Sequence, residues 1–374
     1  MHMIFFMVIF LTVFSLLHLY IYKRLIKKLE LNNHVKKSLN IFLIINSIGV
    51  IGYMLARYYP LMPNWLYFLL SLPIGVIFLL FCTTLIYDFS SFILKHSPLE
   101  PKRRAFFKRS LDLSSLGVAF ALSSKAIYEA RFVKIENIDI KLKNLKQNYK
   151  IAQLSDVHIG GLIDASFIHD LVLKVNSLKP DLVVITGDLV DVKIEHAKGA
   201  LDELRNLKSI YGTYFVVGNH EYFHNICEII NTIKDLGITV LENSSVYIGE
   251  KDKGFNLAGV YDIFGYRAKR YIPDINKALV DVNDNSPIVL LAHQPKYITE
   301  VEATKVDLML SGHTHGGQLY PFHILVKLEQ PYISGLYKHN ENLQVYVNKG
   351  TGFWGPPMRL CATAEITNIT LTSS

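Results

Sequence analysis

Hydrophobic residues fall into two textures along this 374-residue chain. At the start they are continuous. Residues 3–22, MIFFMVIFLTVFSLLHLYIY, carry no charged side chain, and residues 65–87 are equally apolar apart from a few small polar groups. Each is about as long as a helix that crosses a bilayer, ~20 residues. Residues 41–56 form a shorter apolar run closed by Arg57, Tyr58 and Tyr59, a basic and aromatic edge of the kind found at membrane interfaces. Three spans are predicted. The first lacks the basic leader of a cleaved signal and outlasts its usual apolar region, so it is expected to remain as an anchor.

Beyond residue 130 the apolar positions break into short strand-like runs at 149–154, 181–185, 214–217, 287–291 and 306–310. Between them, residues 167–177, 197–208 and 227–236 carry helical spacing. Such alternation predicts an α/β or layered α+β domain over residues 131–374. Residues 1–94 are read as the membrane region and 95–130 as a basic connecting segment. The last part of that segment, LDLSSLGVAFALSSKAIYEA at 111–130, holds Asp112, Lys125 and Glu129. It reads as a weak fourth span or as a helix lying on the membrane face. The preceding Lys102-Arg-Arg-Ala-Phe-Phe-Lys108 resembles the twin-arginine export motif, which favours the span and places the domain on the outer, periplasmic face of a multi-pass inner-membrane protein.

Composition supports the division. Hydrophobic residues make up 50% of the chain and mean hydropathy is +0.25, high for a soluble protein. Lys23, Arg24, Lys27, Lys28, Lys36 and Lys37 follow the first run, and Lys95, Lys102, Arg103, Arg104, Lys108 and Arg109 follow the third, against only Glu30 and Glu100. These bases exceed the chain's whole excess of +7, so the charge is explained by loops facing the cytoplasm, and no nucleic-acid surface is needed. Cys82, Cys227 and Cys361 are far apart without CxxC spacing, which gives no structural zinc site or disulfide framework.

A polar cluster ends each apolar run of the second part. They are Ser155-Asp-Val-His158, Thr186-Gly-Asp-Leu-Val-Asp191, Val217-Gly-Asn-His-Glu221, Ala292-His-Gln-Pro295 and Ser311-Gly-His-Thr-His315. Asp156 and His158, and likewise His313 and His315, are one residue apart, so an extended backbone would turn each pair to one side. Singly, each cluster also reads as turn or cap chemistry. Strand ends of α/β sheets converge on a ligand crevice, which makes five in order a candidate site.

Together, DxH, GDxxD, GNHE, an isolated His and GHxH resemble the calcineurin-like metallophosphoesterase superfamily, in its membrane-linked branch. The resemblance covers 149 to about 318 and continues through Val345-Tyr-Val-Asn-Lys-Gly-Thr-Gly352 to the end. It implies two mixed sheets packed as a sandwich with flanking helices, and two divalent ions, manganese, iron, zinc or magnesium. Asp156, His158 and His315 would hold the first ion, Asn219, His293 and His313 the second, and Asp188 would bridge. His220 would be the catalytic histidine and Asp191 the carboxylate that orients it. The residue types agree: carboxylate, imidazole and amide without thiolate suit such metals. Two ions ~3.5–4 Å apart activate a shared water and clamp phosphoryl oxygens, so no serine or cysteine nucleophile is needed.

Departures narrow the substrate. The superfamily's protein phosphatases carry Arg after the second Asp of GDxxD, whereas here Val192 and Lys193 follow Asp191. The stretch Gly350-Thr-Gly-Phe-Trp-Gly-Pro-Pro357 resembles a segment of the membrane-linked branch, whose expected substrates are lipid-linked or cell-envelope phosphodiesters and pyrophosphates. Phe353 and Trp354 would meet an acyl chain or pack in a turn. The expected function is a membrane-anchored phosphohydrolase contacting the lipid bilayer. The alternative is a non-catalytic sensor or assembly factor that binds a phosphorylated ligand.

Overall fold

A computed structural model of the chain describes residues 2–56 and 62–373, so the expected edge at Arg57, Tyr58 and Tyr59 lies outside the described residues. The chain divides into two compact units, Met1–Glu129 with Gly355–Leu360, and Ala130–Trp354 with Cys361–Ser374.

The first unit is helical: α1 (His2–Arg24), α2 (Asn33–Ala56), α3 (Asn64–His96) and α4 (Pro101–Glu129). Among the described residues, three helices are long and apolar enough to cross a membrane, spanning Phe5–Lys28, Asn33–Ala56 and Asn64–His96. The third runs past residue 87, where the uncharged stretch ends. Asp88 permits this because it sits in the helix as an ion pair with Arg24 and with Lys28 Nζ at 2.9 Å. The weakly apolar segment is one continuous helix, α4. Its Asp112 is fully buried, accepting from Tyr87 Oη at 2.9 Å, from the Glu30 N–H at 2.6 Å and from Lys108. Further along α4, Ala119 joins the core formed by Ile21, Leu43, Ile77 and Leu80, so α4 packs along the apolar helices rather than standing away from them. The segment Gly355–Leu360 belongs to this unit, with the Arg359 N–H on the Ala126 carbonyl at 2.8 Å and the Arg359 side chain fully buried.

The second unit contains strands β1 (Val133–Leu142), β2 (Tyr149–Leu154), β3 (Leu182–Thr186), β4 (Thr213–Val216), β5 (Thr239–Val240), β6 (Ser244–Ile248), β7 (Phe255–Gly259), β8 (Ile288–Leu291), β9 (Leu308–Ser311), β10 (Gly335–Lys338), β11 (Gln344–Val347) and β12 (Ala364–Ser373). They make two six-stranded mixed sheets, β1-β12-β2-β3-β4-β5 and β10-β11-β9-β8-β7-β6. Within them β2, β3, β4 and β5 run parallel, as do β7, β8, β9 and β11.

Period-two alternation builds the layers. Leu182 and Val184 of β3 face the inter-sheet core with Leu257, Val289 and Leu310, while Val183 and Ile185 face outward. That outer face is covered by α5 (Ala165–Ser177), α6 (Ile194–Glu203) and α7 (Ile226–Asp235), through Leu171, Val175, Leu201, Ile229 and Ile233. α5 begins earlier than the apolar spacing indicates because Asp164 caps it, its carboxylate accepting the Phe167 N–H at 3.2 Å. Strands buried on both faces carry continuous apolar runs, and the polar clusters begin where that burial ends.

Candidate metal centre

The carboxyl ends of β2, β3 and β4 in one sheet and of β8 and β9 in the other deliver the five polar clusters to one place. The local backbone is not the extended one on which the spacing argument rested. Asp156, His158, Asp188, His313 and His315 all take left-handed φ values of 50°, 55°, 50°, 70° and 50°. Non-glycine residues rarely adopt this region, and such positions concentrate at functional sites. The strands stop at Leu154 and Ser311, and the chain then turns sharply at successive polar residues. As a result His313 and His315 do not share one set of neighbours, since their side chains enter different groups.

Asp156, His158 and His315 form one group, and Asp188, His293 and His313 form another, each with ligand atoms within 4.8 Å of one another. In the first, His158 Nε2 faces His315 Nε2 at 3.0 Å, and His315 Nε2 lies 3.6 Å from Asp156 Oδ1. In the second, His293 Nε2 is 3.2 Å from Asp188 Oδ2, 3.2 Å from Asn219 Oδ1 and 3.3 Å from His313 Nδ1. Asp188 stands between the groups, its Oδ2 also 3.9 Å from His158 Nε2.

Hydrogen bonds fix these donors. Asp156 accepts the His313 N–H at both oxygens, at 3.0 and 2.9 Å, and the Ser155 hydroxyl at 2.6 Å. His293 Nδ1 is 2.7 Å from the Thr186 carbonyl and donates to it, which aims Nε2 at Asp188 and Asn219. Asp188 Oδ1 accepts the His220 N–H at 2.8 Å. Gly218 permits this approach, for a Cβ there would fall on the Asp188 carboxylate. The Thr351 and Gly352 N–H groups donate to the Ser155 and Asp156 carbonyls at 2.7 and 3.0 Å, so the C-terminal Asn-Lys-Gly-Thr-Gly loop clasps the end of β2.

The electrostatics suit a cation. Burial, then the neighbouring His220, brings His158 down to about 4, and burial, then His293, brings His313 down to about 3, leaving both rings neutral with lone pairs to offer. Burial also opposes charge on His293, but the Asp188 carboxylate outweighs it and holds that imidazole well above its ordinary value. Burial likewise opposes ionisation of Asp188, yet the charge of His293 keeps the carboxylate well below the usual range. Facing neutral imidazoles beside buried carboxylates, all nitrogen and oxygen donors, fit divalent ions.

A third grouping lies beside the first two. His220 Nδ1 meets Asp191 Oδ1 at 2.5 Å, and His220 Nε2 is 3.9 Å from Asp188 Oδ2. Trp354 stands edge-on to the His220 ring at 6.0 Å between centroids and Phe223 at 5.1 Å. Trp354 is anchored to Gln318 by reciprocal backbone-to-side-chain bonds of 3.0 and 2.9 Å, while Phe353 packs against the helix-side core.

Glu221, quoted in the GNHE cluster but given no role by sequence reasoning, is fully buried. It accepts four backbone N–H groups, from Leu189 at 2.8 Å, Val190 at 3.0 Å, Gly218 at 2.7 Å and Asp188 at 3.2 Å. It ties the Asp188 turn to the Asn219 turn. The only sequence signal was an acid directly after the clustered Asn and His. Glu221→Gln replaces one acceptor oxygen by a donor and leaves two N–H groups unpaired, at about 1–3 kcal/mol each. The full-length protein is therefore expected to lose roughly 5–15 °C in thermal midpoint and to retain less metal after desalting.

The profile of the calcineurin-like phosphoesterase family matches residues 149–317. A metallophosphoesterase of Helicobacter pylori is 42% identical over 337 residues, covering 88% of each chain. One from Campylobacter jejuni is 35% identical over 369 residues, 97% of each chain. A Danio rerio transmembrane protein with a metallophosphoesterase domain is 37% identical over 250 residues, 64% of this chain and 57% of that one. With the left-handed strand ends drawing nine polar side chains together, these likenesses make the chain a member of the calcineurin-like metallophosphoesterases, hydrolases of phosphoester bonds.

Proposed function

We propose that this protein is a multi-pass membrane phosphohydrolase that cleaves a phosphodiester or pyrophosphate bond in a lipid-linked or cell-envelope substrate. The family uses a dinuclear divalent centre, and the His and Asp groups here suit one. Asp156, His158 and His315 would hold one ion, Asn219, His293 and His313 the other, with Asp188 shared. When bound, the ions supply an activated water and neutralise the phosphoryl oxygens. The protein's own residues do the rest. His220 donates Nδ1–H to Asp191, which fixes the ring and leaves Nε2 directed toward the space beside Asp188. There it protonates the leaving oxygen. Trp354 and Phe223 flank the ring.

The observation that carries this reading is the shared position of Asp188, within 3.2 Å of His293 and 3.9 Å of both His158 and His220. The anchor argues for the substrate, because a lipid-linked phosphate is concentrated at the bilayer and a soluble metabolite is not. We also propose residues 1–94 as the membrane region, 95–130 as a basic segment with a fourth span, and 131–374 as the catalytic domain. Packing of α4 against the apolar helices supports that span, with Phe120 and Val118 left on its exposed side. Basic loops in the cytoplasm then put the catalytic domain on the outer face of the inner membrane.

The test is hydrolysis of a chromogenic phosphodiester and the matching monoester by the full-length protein in detergent, stripped of metal and reloaded with manganese, iron, zinc or magnesium. Metal-dependent turnover, with a lipid-linked diester preferred over its soluble analogue, is expected. Equal turnover of soluble and lipid forms would remove the substrate assignment, and none by a folded, metal-loaded protein would leave a binding role.

A further inference from the structure

Where α1 ends at Arg24 and α3 at His96, side chains of α1, α3, α4 and the segment that follows α1 line an open cavity of about 1220 Å³. Five cations, Arg24, Lys28, Lys95, Arg104 and Lys108, line it against two acids, Glu30 and Asp88. Asp88 is committed to Arg24 and Lys28, and Lys108 to the buried Asp112. Arg104 uses Nη2 to hold the carbonyls of Ser97 and Leu99, at 3.0 and 3.2 Å. Its Nε, and the hydroxyl of Ser91 in the same lining, are shut off from water and have no hydrogen-bond partner among the described residues. Tyr20 and His96 add two polar rings, and the rest of the lining is apolar and open to the surroundings, with Phe89 and Phe92 exposed by 67% and 62%.

A cavity that joins excess positive charge to exposed phenylalanines on a membrane-length helix matches an amphiphile with an anionic head. We infer that it binds an anionic phospholipid, the phosphate held by cations of the lining, Lys95 and Arg104 among them, and the acyl chains lying along Phe89 and Phe92. Basic pockets between membrane helices on the cytoplasmic side take such head groups. The site is separate from the His and Asp groups described above, and its occupant is held rather than hydrolysed.

The experiment is native mass spectrometry of the full-length protein in neutral detergent, titrated with phosphatidylglycerol or with phosphatidylcholine of the same chains, with and without excess inorganic phosphate. Wild type is expected to retain phosphatidylglycerol preferentially, and inorganic phosphate to leave it in place. Lys95→Gln is expected to weaken retention by about five-fold, and Arg104→Gln by at least as much. Arg104→Gln also releases the Ser97 and Leu99 carbonyls and so risks disturbing the α3–α4 turn. Lys95 makes no such bond among the described residues, and its substitution keeps the test independent of folding. Equal retention of the two lipids, unchanged binding in Lys95→Gln, or displacement by inorganic phosphate would each overturn the lipid assignment.

Discussion

Asp188→Asn is expected to lower phosphodiester turnover by at least about 10³-fold and to leave the desalted protein depleted of metal. The amide keeps an oxygen for the His220 N–H, now at 2.8 Å from Oδ1, so the turn between β3 and the His220 segment survives. It removes the negative charge that holds His293 well above its ordinary value and the oxygen that reaches toward His158. Losing several kcal/mol of charge stabilisation in a buried site corresponds to that rate loss. Metal content by plasma mass spectrometry and turnover should fall together. A variant keeping both within about three-fold of wild type would remove Asp188 from the shared position.

His220→Gln should separate chemistry from metal binding. Its side chain touches Asp191 and stands beside Asp188, and although it also groups with His158 and Asp191, the two groups proposed to hold the ions, Asp156–His158–His315 and Asp188–His293–His313, do not include it. Metal content is expected to stay constant while kcat falls by about 10²–10⁴-fold, the usual range for a positioned proton donor. The loss should be large for an alkyl leaving group and small for p-nitrophenolate, which departs without protonation. Asp191→Asn should lower kcat by about 10–100-fold, chiefly through the orientation of the ring. Equal losses for both leaving groups would place His220 in phosphoryl binding rather than proton transfer.

The sequence by itself carried the chemistry of this protein. Uncharged runs of bilayer length marked the apolar helices, because an unpaired charge is expensive in hydrocarbon, and β-strands buried on both faces left continuous apolar runs ending at conspicuous polar clusters. The residue types in those clusters sufficed to indicate a nitrogen and oxygen site for divalent ions. Local pattern did not indicate the geometry. An extended backbone was the simplest way to pair Asp156 with His158, but φ values of 50° and 55° place them instead on a left-handed turn that the Thr351–Gly352 clasp and the Ser155 hydroxyl hold in shape.

Glu221 was illegible for a related reason. Its role is to gather N–H groups from two turns about 30 residues apart in sequence, and no spacing rule connects them. Asp88 and Asp112 show the same limit in the helical unit: in sequence they ended or weakened an apolar run, while tertiary partners from other helices neutralise them and let α3 and α4 continue. Composition and periodicity report what each segment prefers alone, and so they determined the elements and the kind of site. The direction of each donor, and the charges tolerated inside the helices, depend on partners brought from distant parts of the chain, and only the tertiary structure decided them.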